Sequence, residues 1–89
     1  MRLRARISGR VQGVGFRYFT LRAARLHGVV GWVRNERDGS VLCEAQGDSP
    51  ALDEFLATVR RGSEFSRVDE VVTQAVDDEP SASLEFQIR

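Results

Sequence analysis

Hydrophobic periodicity switches from two residues to about 3.6 and back, twice, within eighty-nine residues, and few folds accommodate that order. Leu3, Ala5 and Ile7 alternate with Arg2, Arg4 and Arg6, the pattern of a half-buried strand. A glycine-rich stretch from Gly9 to Gly15 interrupts it. Beyond that stretch Phe19, Ala23 and Leu26 fall at helical spacing, with Arg22 and Arg25 on the other side and Gly28 as a stop. Val29 to Asn35 reads as a second strand, and Asp38-Gly39 is a hairpin turn into a third, where Val41, Cys43 and Ala45 alternate. Asp48 then offers an N-cap with Pro50 in the first turn. Leu52, Phe55, Leu56 and Val59 form the apolar stripe of a second helix that Gly62 ends. Val68 to Val76 is β-branched with Val71 out of phase, which points to a bulge. After an acidic loop with Pro80, Leu84, Phe86 and Ile88 alternate as a last strand.

The resulting order is βαββαβ with a short extra strand at the C-terminus. It predicts an α+β, ferredoxin-like sandwich: an antiparallel sheet of four main strands plus the short one, with two helices on one face. No repeat or linker divides the chain, so residues 1–89 are expected to form a single domain. A right-handed crossover makes strands one and two run parallel. Their C-terminal ends then share one edge of the sheet, which places the glycine-rich loop beside Asn35.

Composition narrows the chemistry. The chain has thirteen arginines and no lysine, thirteen acids, one His, one Cys and one Trp. Without lysine there is no Schiff-base nucleophile and no Walker-type phosphate lysine. A lone His and a lone Cys cannot build a structural zinc site, and no disulfide can close within the chain. The net charge of zero conceals a division. Residues 1–40 hold nine Arg against two acids, a net of +7, and residues 41–89 hold four against eleven, a net of −7. The first half therefore faces an anion, or the two halves pair with each other. Uniform basicity of the nucleic-acid-binding kind is absent, and no apolar run approaches membrane-spanning length. An unpaired Cys and no recognisable export segment fit a reducing cytoplasm.

The run Val11-Gln12-Gly13-Val14-Gly15-Phe16-Arg17 is where an anion would bind. Glycines let successive N–H groups turn inward, the loop feeds a helix N-terminus, and Arg17 adds a planar fork of donors. A Gly-rich strand-to-helix connection is also what a simple tight turn looks like. The dinucleotide fingerprint is excluded, because Tyr18 stands where its third glycine belongs. The spacing from Val11 to Arg17 equals that of the cysteine phosphatase loop, with valine in place of the nucleophile. A phosphoryl group could be cradled there, yet no covalent phosphocysteine could form, so water would have to attack directly.

Gly9 to Arg17, followed by Gly31-Trp32-Val33-Arg34-Asn35 and Asp38-Gly39-Ser40-Val41, resembles the acylphosphatase family. The separation of Arg17 from Asn35 agrees, as do Ala24, Gly28, Gln46-Gly47 and Phe86. One stretch departs: Gly62-Ser63-Glu64-Phe65-Ser66 replaces the family's Gly-Pro-type turn. The resemblance implies hydrolysis of the carboxyl–phosphate bond of acyl phosphates without metal or other cofactor. It further implies that Arg17 and the amides of Gln12, Gly13, Val14, Gly15, Phe16 and Arg17 hold the phosphoryl group, and that Asn35 positions the attacking water. A site lacking a general acid suits this substrate, since a carboxylate leaving group with a pKa of about 4–5 departs unprotonated.

The remaining residues carry structural expectations. Ser40 is expected to stabilise the hairpin or orient Asn35, Cys43 to be buried and His27 to sit at a helix end. Trp32 is read as packing, and Tyr18 and Phe16 as possible walls around the acyl group. Arg2, Arg4 and Arg6 should lie on the exposed sheet face and pair with Glu44 and Glu85. The expected ligand is a small acyl phosphate, with inorganic phosphate or sulfate as competing anions; no nucleic acid, no membrane and a monomeric, cytoplasmic protein are expected. The alternative is a non-catalytic anion-binding module of the same fold. An RNA-binding sheet would need exposed aromatic residues, and the central strands show Arg, Leu and Glu instead.

Overall fold

The computed structural model describes residues 1–80 and 84–89. Its elements are β1 (Arg2–Arg10), α1 (Phe16–Leu26), β2 (Val30–Asn35), β3 (Val41–Gln46), α2 (Ser49–Arg61), β4 (Arg67–Val76) and β5 (Phe86–Ile88). The strand order β4-β1-β3-β2-β5 and two helices on one face give the ferredoxin-like sandwich. β1 pairs antiparallel with β3 and β4, and β2 antiparallel with β3. β5 joins β2 in parallel, so the complete sheet is mixed. β4 ends at the end of the sheet from which β2 starts, and a strand returning from there runs with β2.

Helix α2 forms as its sequence dictates. Asp48 accepts from the Ala51 N–H at 2.9 Å, and Leu52, Phe55, Leu56 and Val59 are buried. In α1 the buried face is Phe16, Thr20, Leu21, Ala23 and Ala24 rather than the expected Phe19–Ala23–Leu26 stripe. Leu26 is 78% exposed, because it lies roughly a third of a turn round the helix from the centre of the buried face. Small Ala23 and Ala24 take the contact instead and let the helix approach the strands. The last strand is also shorter than its alternation predicts. Only Phe86 is buried, its ring 5.9 Å from that of Phe55, while Leu84 precedes the strand and is exposed.

The bulge suggested by Val71 is present. Ser8 pairs with Glu70 and Gly9 with Val68, so Asp69 is the extra residue in β4. It brings Val68 and Val71, three residues apart, onto the core side together, where both pack against the core.

The sheet's other face carries the arginines. Arg2 is buried, contrary to the exposed position expected, because acids close over it. Its Nε donates to Glu44 at 2.9 Å, its guanidinium reaches Gln46, and it pairs with Glu79 at 3.2 Å. Arg4 Nε donates to the other Glu44 oxygen at 2.9 Å. Burial raises the Glu44 pKa, but hydrogen bonds and charge from Arg4 and Arg2 outweigh it and hold the carboxyl below its ordinary range. Arg6 meets Ser40, Glu36 and Asp38. Glu85 immediately precedes β5, and β3 and β2 separate β5 from β1, so it is not the cross-strand partner expected for these arginines. Trp32 is packed on this face between the guanidinium groups of Arg34 and Arg89, 4.9 and 5.1 Å from its ring.

Among the described residues no helix is long and apolar enough to cross a membrane.

Candidate active site

The loop between β1 and α1 is anchored by Val11 and Phe16, both buried to about 1% exposure. Between them Gly13 and Gly15 adopt φ of 74° and 75°, and no non-glycine residue among those described has a positive φ. The sign of φ therefore alternates along residues 12–15. In such backbone, successive N–H groups turn toward a common concavity that suits an anion. Gly15 is also the N-cap of α1, with no capping side chain and no acid in the first turn. The N–H groups that open the helix are left for a ligand, together with the positive end of its dipole.

Two further elements close the hollow. In the register of β2 against β3, Asn35 shares a face with Val33 and Val41, the face that the helices cover. This aims Asn35 at the start of α1. The parallel register of β5 brings Ile88 opposite Val33 at the same end of the sheet. A cavity of about 190 Å³ results, lined by Val11, Gly13, Gly15, Phe16, Arg17, Tyr18, Asn35 and Ile88. Arg17 and Asn35, eighteen residues apart, thus border one hollow.

Of the loop residues expected at the phosphoryl site, Gly13, Gly15, Phe16 and Arg17 border the cavity. Gln12 and Val14 do not line it. The Gln12 amide donates to the carbonyls of Glu36 at 2.7 Å and Ser40 at 2.9 Å, which fastens the loop to the β2–β3 hairpin. Val14 lines a wider neighbouring groove. The buried Phe16 ring, 5.6 Å from Phe19, anchors the loop in the core instead of forming a wall for the acyl group. Tyr18, by contrast, is exposed beside the cavity.

The hairpin leaves Asn35 available. Its turn is stabilised by Asp38, which accepts from the Ser40 N–H at 2.9 Å and the Ser40 hydroxyl at 2.6 Å. Those bonds, aided by the charge of Arg6, hold the Asp38 carboxyl below its ordinary range. Ser40 thus stabilises the hairpin and makes no hydrogen bond to Asn35, whose side chain makes none among the described residues. Arg17 is lightly held: its one hydrogen bond is to the Arg89 main-chain oxygen at 3.3 Å, and it forms no ion pair with a side chain among the described residues.

Cys43 and His27 lie away from the cavity. Burial, reinforced by the Glu44 charge, pushes the Cys43 thiol up to about 12, which makes it an inert core residue. His27 is the C-cap of α1, with Thr58 Oγ1 at 3.4 Å from its Nε2. Among the described residues no group of three or more His, Cys, Asp or Glu is placed to hold a metal ion. Ile88 is the cavity residue that the sequence did not reveal. Its alternation with Phe86 marks a strand, but only the parallel pairing of β5 carries it to the site.

This geometry has counterparts among known proteins. The family model described as acylphosphatase matches residues 3–88. The chain belongs to the acylphosphatase family. It is 53% identical to an acylphosphatase of Oceanobacillus iheyensis over 70 residues, covering 78% of this chain and 77% of that protein. With an acylphosphatase of Nitrobacter hamburgensis the identity is 50% over 84 residues, covering 93% and 80%. The crystal structure of acylphosphatase from Bacillus subtilis superposes with a TM-score of 0.93 at 38% identity, covering 99% of this chain and 97% of that one. Family and fold thus agree along nearly the whole length, including the glycine-rich loop.

Proposed function

We propose that this chain hydrolyses acyl phosphates to a carboxylate and orthophosphate by in-line attack of water, with Arg17 and the 12–17 loop holding the phosphoryl group and Asn35 holding the water. The observation that carries the assignment of residues is the shared cavity: a guanidinium held by a single hydrogen bond, an amide that makes none among the described residues and an alternating-φ loop border one hollow. Phosphoryl transfer through a loose transition state asks for stabilised equatorial oxygens and an aligned nucleophile. N–H groups of the loop and Arg17 supply the first, and the Asn35 side-chain oxygen accepts a hydrogen bond from the water and supplies the second.

The new P–O bond forms to water as the bond to the acyl oxygen breaks. The electron pair leaves on the carboxylate, and the water's protons remain with the orthophosphate. A carboxylate is a good enough leaving group to need no proton donor, and among the described residues the cavity lining has no titratable acid besides the Tyr18 phenol. Residues 1–89 act as one domain, monomeric and cytoplasmic, on a small substrate and with no bound metal or cofactor. Nucleic acid and membrane are not partners.

The deciding assay follows benzoyl phosphate hydrolysis in the presence of a chelator, with inorganic phosphate or sulfate as competitor. Turnover that resists the chelator, is inhibited competitively by either anion and collapses in Arg17→Ala and Asn35→Ala supports this reading. A requirement for added magnesium would overturn the metal-free mechanism. A folded wild type that binds phosphate without turnover would be a non-catalytic anion-binding module.

A further inference from the structure

The cavity of about 190 Å³ accommodates a phosphoryl group and little more, so the acyl part of any substrate must project from it. Beside it runs a groove of about 950 Å³ between α1 and the turn that follows α2. Cavity and groove meet at Gly15 and Tyr18, whereas Asn35 borders the cavity alone. In-line attack places the leaving group away from the water, and hence away from Asn35 and toward that junction.

The groove has two kinds of wall. One is apolar and wet: Tyr18, Leu26 and Phe65 line it at 60%, 78% and 69% exposure, with Phe19 between them. Large exposed apolar side chains gathered on one concave surface mark a ligand or partner site. The other is cationic. Arg22 and Arg25, one helical turn apart, line the groove and form no ion pair among the described residues. The helical rise sets them about 9 and 14 Å along α1 from Phe16 at the cavity. Glu64 is the one acid among the described residues along the groove, and it also borders a hollow lined by Arg10.

We propose that this groove is the acyl subsite and that it selects acyl phosphates whose acyl group joins an apolar body to a second carboxylate. The body lies against Tyr18, Phe19 and Phe65, and the carboxylate meets Arg22 and Arg25. The 62–66 turn, where this sequence departs from the family's Gly-Pro-type pattern, then sets specificity through Phe65. The inference rests on the reading of the neighbouring cavity as the phosphoryl site.

The test measures kcat/KM at fixed ionic strength for acetyl, benzoyl and 4-carboxybenzoyl phosphate. In the wild type benzoyl phosphate is favoured over acetyl phosphate by about tenfold, and Phe65→Ala cuts that ratio at least threefold. The 4-carboxyl group adds about a further fivefold, and Arg22→Gln/Arg25→Gln returns that second ratio to about one. Ratios within one variant cancel any general weakening of anion attraction. Wild-type ratios near one, or ratios that survive these substitutions, overturn the subsite. Acetyl phosphate hydrolysis that persists undiminished in Arg17→Ala would instead bring down the phosphoryl-site reading, whatever the groove ratios show.

Discussion

Arginines occupy two regions of this molecule on opposite terms. On the open face of the sheet, Arg2, Arg4, Arg6 and Arg34 each meet at least one carboxylate, and Arg2 is almost wholly buried between Glu44 and Glu79. Around the start and outer side of α1, Arg10, Arg17, Arg22 and Arg25 form no ion pair among the described residues. The +7 half of the sequence is thus split in its turn: one set of charges is spent on holding strands together, and the other is left as a positive field round the cavity. Identical side chains contribute to stability in one region and are free to meet a ligand in the other.

Removing Arg17 should break the comparison most sharply. In Arg17→Ala, kcat/KM for acetyl phosphate falls by about 10³ to 10⁵, because the transition-state charge loses its guanidinium partner. Its thermal unfolding shifts little, by about 0.5 kcal/mol or less, since the side chain makes a single hydrogen bond in the free protein. A large loss of stability would show that Arg17 belongs with the structural set.

Asn35→Ala separates charge from positioning. We expect kcat to drop by about 10² to 10³ with KM nearly constant, because the amide acts on the water and not on substrate binding. A rise in KM at constant kcat would place Asn35 among the phosphate-binding groups.

Glu44→Gln probes the structural set. It strips two arginines of a shared carboxylate and should cost about 3 kcal/mol, read from urea unfolding, while folded enzyme keeps its kcat. The pH dependence follows from the lowered pKa of this carboxyl. The folded state takes up the proton less readily than the unfolded chain. The contribution is therefore complete above the ordinary glutamate pKa of about 4.3 and is lost as pH falls through the lower folded value. Glu44→Gln should lack that part of the acid dependence, and an unchanged profile would remove Glu44 from the account.

The smallest expected effect comes from salt. Raising ionic strength should lower kcat/KM by about threefold to tenfold as the unpaired arginines are screened, with much less change in stability. Salt-insensitive kinetics would mean that the field round the cavity does not reach the substrate.

Much of this was legible in the sequence, and the exceptions share a cause. Local signals carried α2, the Asp38-Gly39 turn and the displaced phase of Val71. One topological rule, the right-handed crossover, sufficed to bring Asn35 to the glycine-rich loop. What escaped depends on contacts between distant segments. Arg2 alternates like an exposed residue and is buried because Glu79 and Gln46 come over it from elsewhere in the chain. Leu26 fits a helical stripe but is turned away from the face that Ala23 and Ala24 bury. Ile88 reaches the cavity only through a three-residue parallel pairing too short to leave a periodic mark. For the loop itself, spacing alone allowed a simple turn; the positive φ at Gly13 and Gly15 is what gives it an anion-binding shape.

The bulge at Asp69 has a consequence for how these molecules share a crowded solution. β4 is an outer strand of ten residues, long enough to recruit a strand from another chain into a growing sheet. The extra residue kinks it, and Arg67, Asp69 and Glu70 crowd charge onto the same stretch. The opposite border offers only the three residues of β5. A misfolded neighbour finds the Arg67–Glu70 end of β4 bent and charged and β5 too short, which confines any extension of the sheet to the uncharged, regularly paired stretch from Val71 to Val76.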